Sequence, residues 1–284
     1  MNIGPTDLLK GFLNICQSGQ SHLLSPALRL LSVLALITIT WHALMWAIDE
    51  SSDALKEFLQ KVIFIGAFIF IVKSFPWLVG QVISGYIWVG NTAGNQANPS
   101  IVNDPTEIMK QGVRVCANLA SEISNSSTLS AIGHLCICFF EFIAIILCFL
   151  IIALQVFLVN VELGIITTLG IMLIPFGVWK PTAFIAEKVF GAIISFGVKL
   201  MVLAFILAVA YPFLQQLAIP PDPSLLDFVN TFSGAALLAF LSFHAPSVAA
   251  GLVSGSPALT ARHVTSGTTR VVQQVTRLVR VGKA

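Results

Sequence analysis

Residues 135–178 read LCICFFEFIAIILCFLIIALQVFLVNVELGIITTLGIMLIPFGV. This apolar block is about twice as long as the roughly 20 residues that an α-helix needs to cross the hydrocarbon core of a bilayer. Polar or small residues interrupt its second half at Gln155, Asn160, Glu162 and Gly164. The pattern therefore predicts either two membrane spans or one span followed by a re-entrant segment.

The composition of the whole chain agrees with a membrane protein. Hydrophobic residues make up 56% of the 284 residues and charged residues 10%, with a mean hydropathy of +0.90. Soluble domains carry roughly 25% charged residues, so the bilayer is the predicted solvent. A formal net charge of +2 argues against nucleic acid as a default partner, because phosphate recognition requires a basic surface.

Four further apolar segments lie on either side of the central block, at residues 30–48, 62–89, 189–211 and 228–252. The second is interrupted by Lys73 and Pro76, and predicts either a kinked span or a span plus an interfacial helix. Pro212 is expected to end the third. The sequence thus predicts an all-α, polytopic transmembrane protein with about five spans, five to six in total.

The chain divides into five predicted regions. They are an amphipathic N-terminal segment expected on the membrane surface, a first membrane region, a polar loop with room for one helix, a membrane core and a basic tail, at 1–27, 28–90, 91–134, 135–252 and 253–284. The first apolar stretch starts after more than 20 residues without a basic cluster before it, so we expect a retained anchor.

Charge asymmetry orients the second half of the chain. The tail carries five lysines and arginines, so we expect it to be cytoplasmic, together with the connector 179–188. The loop 212–227 has acidic residues but neither Lys nor Arg, and belongs outside. Charge does not decide the first half, because Lys56 and Lys61 compete with Lys110 and Arg114.

Catalytic and metal-binding patterns are missing from the sequence. The five histidines are scattered, Cys136 and Cys138 lack the spacing of a zinc or thioredoxin motif, and no phosphate-binding GxxxxGK[ST] loop is present. We therefore expect no enzyme activity, no metal and no cofactor.

Three ionisable residues lie at apparent membrane depth: Glu141, Glu162 and Lys199. Each costs about 2.5–3.5 kcal/mol at a bilayer centre, so each should face protein or a water-filled cavity. They suggest a translocation path or proton relay. The plainer and favoured alternative is a hydrogen bond or ion pair between helices or, for Glu162, a position at the level of the lipid headgroups.

Glycines recur at Gly164, Gly170 and Gly177 in the core, and then at Gly191 and Gly197. Their spacing of six or seven differs from the spacing of four in the close-packing dimer motif, but small residues still permit close helix approach. We expect them to pack helices within one subunit or between subunits.

In the tail, Arg270, Arg277 and Arg280 border an apolar helical face. This is the pattern of a basic amphipathic helix, which binds an anionic lipid surface or docks a cytoplasmic partner. The sequence does not separate these two.

Two stretches carry a resemblance to a known family: VELGI at residues 161–165 through LIPFG at 173–177, and APSVAAGLVSGSP at 245–257. They resemble the core of the TrbL branch of polytopic subunits of type IV, or conjugative, secretion machines. The resemblance implies a periplasmic amino terminus, a periplasmic central loop, a cytoplasmic carboxyl end and about five spans. It also implies that block 135–178 crosses once and folds back.

For function, the resemblance implies a homo-oligomeric platform, expected as a ring, in the bacterial inner membrane. Its partners would be itself, the stalk or minor pilin, the major pilin, the secretion ATPase and other inner-membrane components, with transient contact to transferred DNA or protein. The alternative is a secondary transporter or small-solute channel, which usually shows two related halves that this sequence lacks. A membrane enzyme ranks third.

Overall fold

The computed structural model describes residues 4–48, 54–95, 101–117, 132–216 and 225–253. Regular structure in these residues is helical throughout, which confirms the all-α prediction. The α-helices are α1 (Pro5–Ile48), α2 (Ala54–Ala93), α3 (Pro105–Val115), α4 (Ile132–Gly170), α5 (Ala183–Gln216) and α6 (Leu225–Val253). Short 3-10 turns lie at Ile101–Asn103, Ile174–Val178 and Lys180–Thr182.

Five of these helices are long and apolar enough to cross a membrane. Their spanning portions are Pro5–Met45, Lys56–Ala93, Phe139–Gly170, Lys180–Phe213 and Leu226–Gly251. The chain is a multi-pass membrane protein with the predicted five spans. The longest portion, 41 residues, would extend about 60 Å at 1.5 Å per residue, so the helices tilt or continue beyond a hydrocarbon core about 30 Å thick.

The block 135–178 makes one crossing and then a compact turn. Helix α4 runs without interruption to Gly170, and the turn that follows buries Ile171, Ile174 and Val178 completely. Polar Asn160 fits inside the helix because its side-chain amide donates to the Val156 carbonyl at 2.8 Å. By length and composition this block holds one candidate span, Phe139–Gly170, as the resemblance implied, and not the two spans of the alternative.

Three prolines lie within helices where sequence suggested boundaries. Pro26 lies inside α1, so the N-terminal segment is not a separate helix: it continues into the first span without a break near residue 27. Pro76 lies inside α2, which is one long helix rather than two. Pro212 lies inside α5, which continues to Gln216. A proline inside a helix leaves one backbone hydrogen bond unmade, and neighbouring helices in a membrane bundle can offset this cost.

Contacts between helices fix their relative directions. Leu13 of α1 lies at Gly164 of α4 while Gln20 bonds Thr167, so α1 and α4 run parallel. Helices α2 and α5 are also parallel, since Tyr86 meets Gly197 and Gly90 meets Ala204. First and third spans thus share one direction, and second and fourth share another, as a chain that crosses repeatedly requires.

The bundle has two distinct ends. At the first, which we call the N-terminal end, Thr6 of α1 bonds Thr106 of α3. At the second, which we call the hairpin end, His42 of α1 and Lys61 of α2 line one cavity with Lys180. The described part of the central polar loop therefore lies at the same end as the start of α1.

Helix α3 is the helix that the polar loop was expected to accommodate. It is amphipathic: Ile108, Gly112 and Val115 are buried while Lys110 is exposed. Gly112 approaches the Phe149 side chain so closely that a Cβ there would lie 2.8 Å from the Phe149 Cβ. This close approach fixes α3 against α4. Residues 96–100 and 118–131 of the predicted loop lie outside the described residues, and its last residues, 132–134, begin α4.

Candidate functional site

Glu162 and Lys199 form an ion pair between α4 and α5. The Lys199 Nζ lies 3.8 Å from Glu162 Oε2, and also 4.2 Å from the centre of the Phe196 ring. The Lys199 side chain is 23% exposed, whereas the Glu162 side chain is 48% exposed. An ion pair between helices is one of the contacts that the sequence suggested for these residues. Among the described residues, about half of the Glu162 side chain stays exposed.

The third ionisable residue, Glu141, lies elsewhere. It is on the same helix as Glu162 but 21 residues earlier, which places it about 30 Å away along the helix axis. Glu141 is 6% exposed and is engaged by its surroundings. The structure therefore does not assemble the three groups into one relay.

The three predicted core glycines each lie at a contact between helices of this chain. A Cβ at Gly164 would lie 3.2 Å from Leu13 of α1, and one at Gly170 would lie 2.8 Å from Val189 of α5. At Gly177, a Cβ would collide with the Phe68 ring of α2. These positions join α4 and its turn to three other spans. Packing between subunits at these glycines stays a prediction.

Another close crossing, between α2 and α5, was not predicted from the sequence. At Gly90 of α2, a Cβ would lie 2.9 Å from the Ala204 Cβ of α5 and would collide with the Met201 carbonyl oxygen. Gly94, at the end of the same helix, abuts Ala208 in the same way. Gly90 and Gly94 are four residues apart, as are Ala204 and Ala208, so this is a small-xxx-small packing motif. A search for that spacing outside residues 164–197 would have found it.

Hydrogen bonds join α1 to α4 at a second crossing. The Gln20 amide donates to the Thr167 hydroxyl at 3.2 Å, and the Thr168 hydroxyl reaches the Cys16 carbonyl at 3.2 Å. Both threonines also bond the Gly164 carbonyl. The polar residues of the N-terminal segment thus lie alongside a membrane span.

Comparison with known proteins bears on this set of spans. The family model described as "TrbL/VirB6 plasmid conjugal transfer protein" matches residues 35–253, well over half of the chain. The chain belongs to the TrbL/VirB6 family. This confirms the family resemblance.

A curated relative of the same family is the "Probable conjugal transfer protein TrbL" of Sinorhizobium fredii (strain NBRC 101917 / NGR234). It is 25% identical over 248 residues, which cover 84% of this chain and 60% of the relative. The chain therefore spans about three fifths of the length of that relative.

The region that matches the TrbL/VirB6 model contains Glu141, the ion pair and all three predicted glycines. It starts in the middle of α1, after the hydrogen bonds to α4. The tail arginines Arg270, Arg277 and Arg280 lie beyond it and outside the described residues.

At the N-terminal end of this TrbL/VirB6 chain, the first turns of α1 and α3 cap each other. The Thr6 amide donates to the Thr106 hydroxyl and the Thr106 amide to the Thr6 hydroxyl, each at 3.0 Å. The Asp104 carboxylate accepts from the Thr6 hydroxyl and, at 3.1 Å, from the Glu107 amide. These bonds satisfy amides that a helix start leaves unpaired.

This junction sets the charge state of Asp104. Burial raises its pKa, but the hydrogen bonds from Thr6 and from the Glu107 amide favour the carboxylate and outweigh burial. The pKa of Asp104 is therefore lowered overall. Nearby, burial alone raises the pKa of the Cys116 thiol to about 11, so this cysteine is a poor nucleophile.

Metal-binding chemistry finds little support in the described portion of the TrbL/VirB6 chain. Within those residues, no three His, Cys, Asp or Glu side chains converge as a metal site would need. The described residues instead show helix crossings, an ion pair between α4 and α5 and a junction of two helix caps.

Proposed function

We propose that this chain is an oligomeric inner-membrane subunit of a type IV, conjugative, secretion machine. It supports assembly of the pilus and stalk and borders the path of the transferred substrate. Its proposed partners are further copies of itself, pilin and stalk subunits and the secretion ATPase. Membership of a family of plasmid conjugal transfer proteins supports this role.

The half-exposed side chain of Glu162 supports the oligomeric part of the proposal. It belongs to the spanning portion Phe139–Gly170. A charged side chain that faces acyl chains costs up to about 2.5–3.5 kcal/mol, the value at the bilayer centre. Lys199, at 3.8 Å, offsets part of this cost. A neighbouring subunit or a water-filled lumen removes the remaining cost.

A row of polar residues on one face of α1 also supports an oligomer. Lys10, Asn14, Gln17 and Ser21 are exposed and recur at three- or four-residue intervals, so they share one face of the helix. This stretch lies beside Gly164 and Thr167 of a membrane span. Lipid is a poor environment for such a face, whereas a hydrated lumen or a second copy suits it.

The helix order supports a periplasmic amino terminus and a cytoplasmic carboxyl end. Five crossings put the two termini on opposite sides. The lysines of the connector 179–188 favour a cytoplasmic position. Lys180 of this connector lines the hairpin-end cavity together with residues of α1 and α2. The N-terminal end, with α3, then faces the periplasm, where a stalk would stand.

Plasmid transfer in cells tests the role of Glu162. We expect Glu162→Gln to lower the frequency of transfer while the chain stays in the membrane. Glu187→Gln, which changes an exposed carboxylate in the connector 179–188, should leave the frequency unchanged. The double variant Glu162→Lys/Lys199→Glu keeps an ion pair within one chain but reverses the charge that position 162 presents to a neighbouring subunit. We expect it not to restore transfer. If the double variant restored transfer in full, Glu162 would act only through its ion pair inside the subunit.

A further inference from the structure

The hairpin end contains a cavity of about 620 Å³. It lies between the second half of α1, the start of α2 and the turn before α5. Its lining mixes charged, polar and aromatic side chains, namely Thr38, Trp41, His42, Met45, Glu57, Lys61, Trp179, Lys180 and Pro181. The ion pair and the helix crossings described above do not contribute to it.

The charges of this lining favour a ligand with one negative charge. Lys61 and Lys180 supply two ammonium groups and Glu57 one carboxylate, so the fully charged lining residues carry a net charge of +1. A lysine ammonium is a strong partner for phosphate, to which it offers three N–H donors. The lining thus suits a phosphodiester.

Two further groups of the cavity, on His42 and Glu57, can accept hydrogen bonds. His42 Nδ1 lies 2.7 Å from the Thr38 carbonyl oxygen and must donate to it. In the neutral ring this leaves Nε2 as an acceptor. Together with the Glu57 carboxylate, it would receive hydroxyl groups. A phosphate attached to a hydroxyl-bearing group satisfies donors and acceptors alike.

The aromatic and apolar surroundings show where such a ligand comes from. Trp41 is 59% exposed on a membrane-spanning helix, and Ile37 and Leu44 are exposed beside it. Tryptophan concentrates at the level of lipid headgroups, where its ring is apolar and its N–H can bond. Acyl chains can lie along this face of α1 while the headgroup enters the cavity.

We propose that this cavity binds the headgroup of a monoanionic phospholipid with hydroxyl groups, the chemistry of phosphatidylglycerol. Lys61 and Lys180 hold the phosphate, and Glu57 and His42 receive the headgroup hydroxyls. The bound lipid joins the α1–α2 hairpin to the turn before α5. This inference does not depend on the secretion role.

Native mass spectrometry of the full-length chain tests this site. The protein is mixed in detergent with equimolar phosphatidylglycerol and phosphatidylethanolamine and is then released from the detergent in the gas phase. The mass of the complex identifies the lipid that stays bound. We expect retention of phosphatidylglycerol, and about thirtyfold weaker binding in Lys61→Gln/Lys180→Gln, from the electrostatic contribution of two lysines. The matched control is Lys73→Gln/Lys188→Gln, which removes two exposed lysines outside the cavity and should retain the lipid.

Two further arms keep the outcome decisive. Lys61→Arg/Lys180→Arg keeps the charge and should keep the lipid, whereas a variant that fails through misfolding would show altered helical circular dichroism. Equal loss of lipid from the control double variant, or preferential retention of phosphatidylethanolamine, would overturn the proposal. Displacement of the lipid by inorganic phosphate would also overturn it, because the site would then recognise phosphate alone.

Discussion

Two helix interfaces of this chain hold parallel helices together by different means. At the α2–α5 interface, Gly90 and Gly94 face Ala204 and Ala208, and the backbones approach until a single methyl group would not fit. At the α1–α4 interface, Gln20 and Thr167 meet through a hydrogen bond of 3.2 Å.

The difference reflects what stabilises helix contacts in lipid. Apolar side chains gain little by leaving lipid for protein, so close van der Waals contact and hydrogen bonds must supply the stability. The α2–α5 interface uses the first, which tolerates no added atom. The α1–α4 interface has a looser close contact, at Gly164 and Leu13, and adds hydrogen bonds. Each of these bonds contributes little because the separated helices also find partners. We therefore expect steric changes to be far more damaging than the loss of a bond.

The largest effect should come from Gly90→Leu. The new side chain would meet the Met201 carbonyl, which is backbone and cannot rotate away, so α2 and α5 must separate. Overpacking costs about 1–3 kcal/mol, and here we expect the upper part of that range. Equilibrium unfolding of the purified chain in mixed detergent micelles measures this loss of unfolding free energy.

Gly80→Leu is the control for this substitution. Gly80 lies on the same helix, but a Cβ there meets no atom of the described residues within 4 Å. Leucine also has the higher helix propensity, so stability should stay equal or rise. Similar destabilisation by both substitutions would mean that close approach is not what holds α2 to α5.

A smaller effect is expected from Asp104→Ala at the N-terminal end, where α1 again relies on polar contacts. Loss of the cap should cost about 1 kcal/mol and speed hydrogen exchange in the first turn of α3. Asp104→Asn keeps an acceptor oxygen and should lose much less. If exchange is unchanged in the alanine variant, the cap does not stabilise this junction.

Acid should weaken the same junction and leave the glycine interface unaffected. The pKa of Asp104 is lower in the folded chain, so its contribution is complete above the unfolded value of about 4 and is lost as pH falls through the folded value. Hydrogen exchange of α3, corrected for its intrinsic pH dependence, should therefore accelerate below about pH 4. Asp104→Asn should abolish this acceleration. An equal acid response in that variant would assign it to another group.

The smallest effect should follow removal of the bond between Gln20 and Thr167. Interhelical bonds of this kind average about 0.6 kcal/mol in double-mutant cycles within membranes. Gln20→Leu, Thr167→Val and the double variant should give a coupling energy of that size in unfolding measurements. If this coupling energy exceeds the loss of unfolding free energy caused by Gly90→Leu, the ranking of the two interfaces is reversed.

Hydropathy and length predicted the five spans, because the cost of unpaired backbone in lipid leaves few alternatives to helices. Continuity of α1 through Pro26 was not predictable from local sequence. A proline interrupts one hydrogen bond, and only packing of neighbours such as Ala27 and Leu31, both buried, decides whether the helix continues.

Candidate residues were easier to select than to pair. The cost of burying charge identified Glu162 and Lys199, but their contact depends on the register of α4 against α5. The four-residue spacing of Gly90 and Gly94 is visible in the sequence. Lys61 and Lys180, which line the same cavity at the hairpin end, are far apart in the sequence. No local pattern brings such residues together.

Cryo-electron microscopy of the gently solubilised complex tests the central proposal most directly. We predict a closed ring of several copies, with Glu162 at a subunit boundary or beside a water-filled lumen and additional components on the periplasmic side. An isolated monomer with Glu162 against acyl chains would contradict the proposal, and an internal cavity in that monomer would favour a transporter.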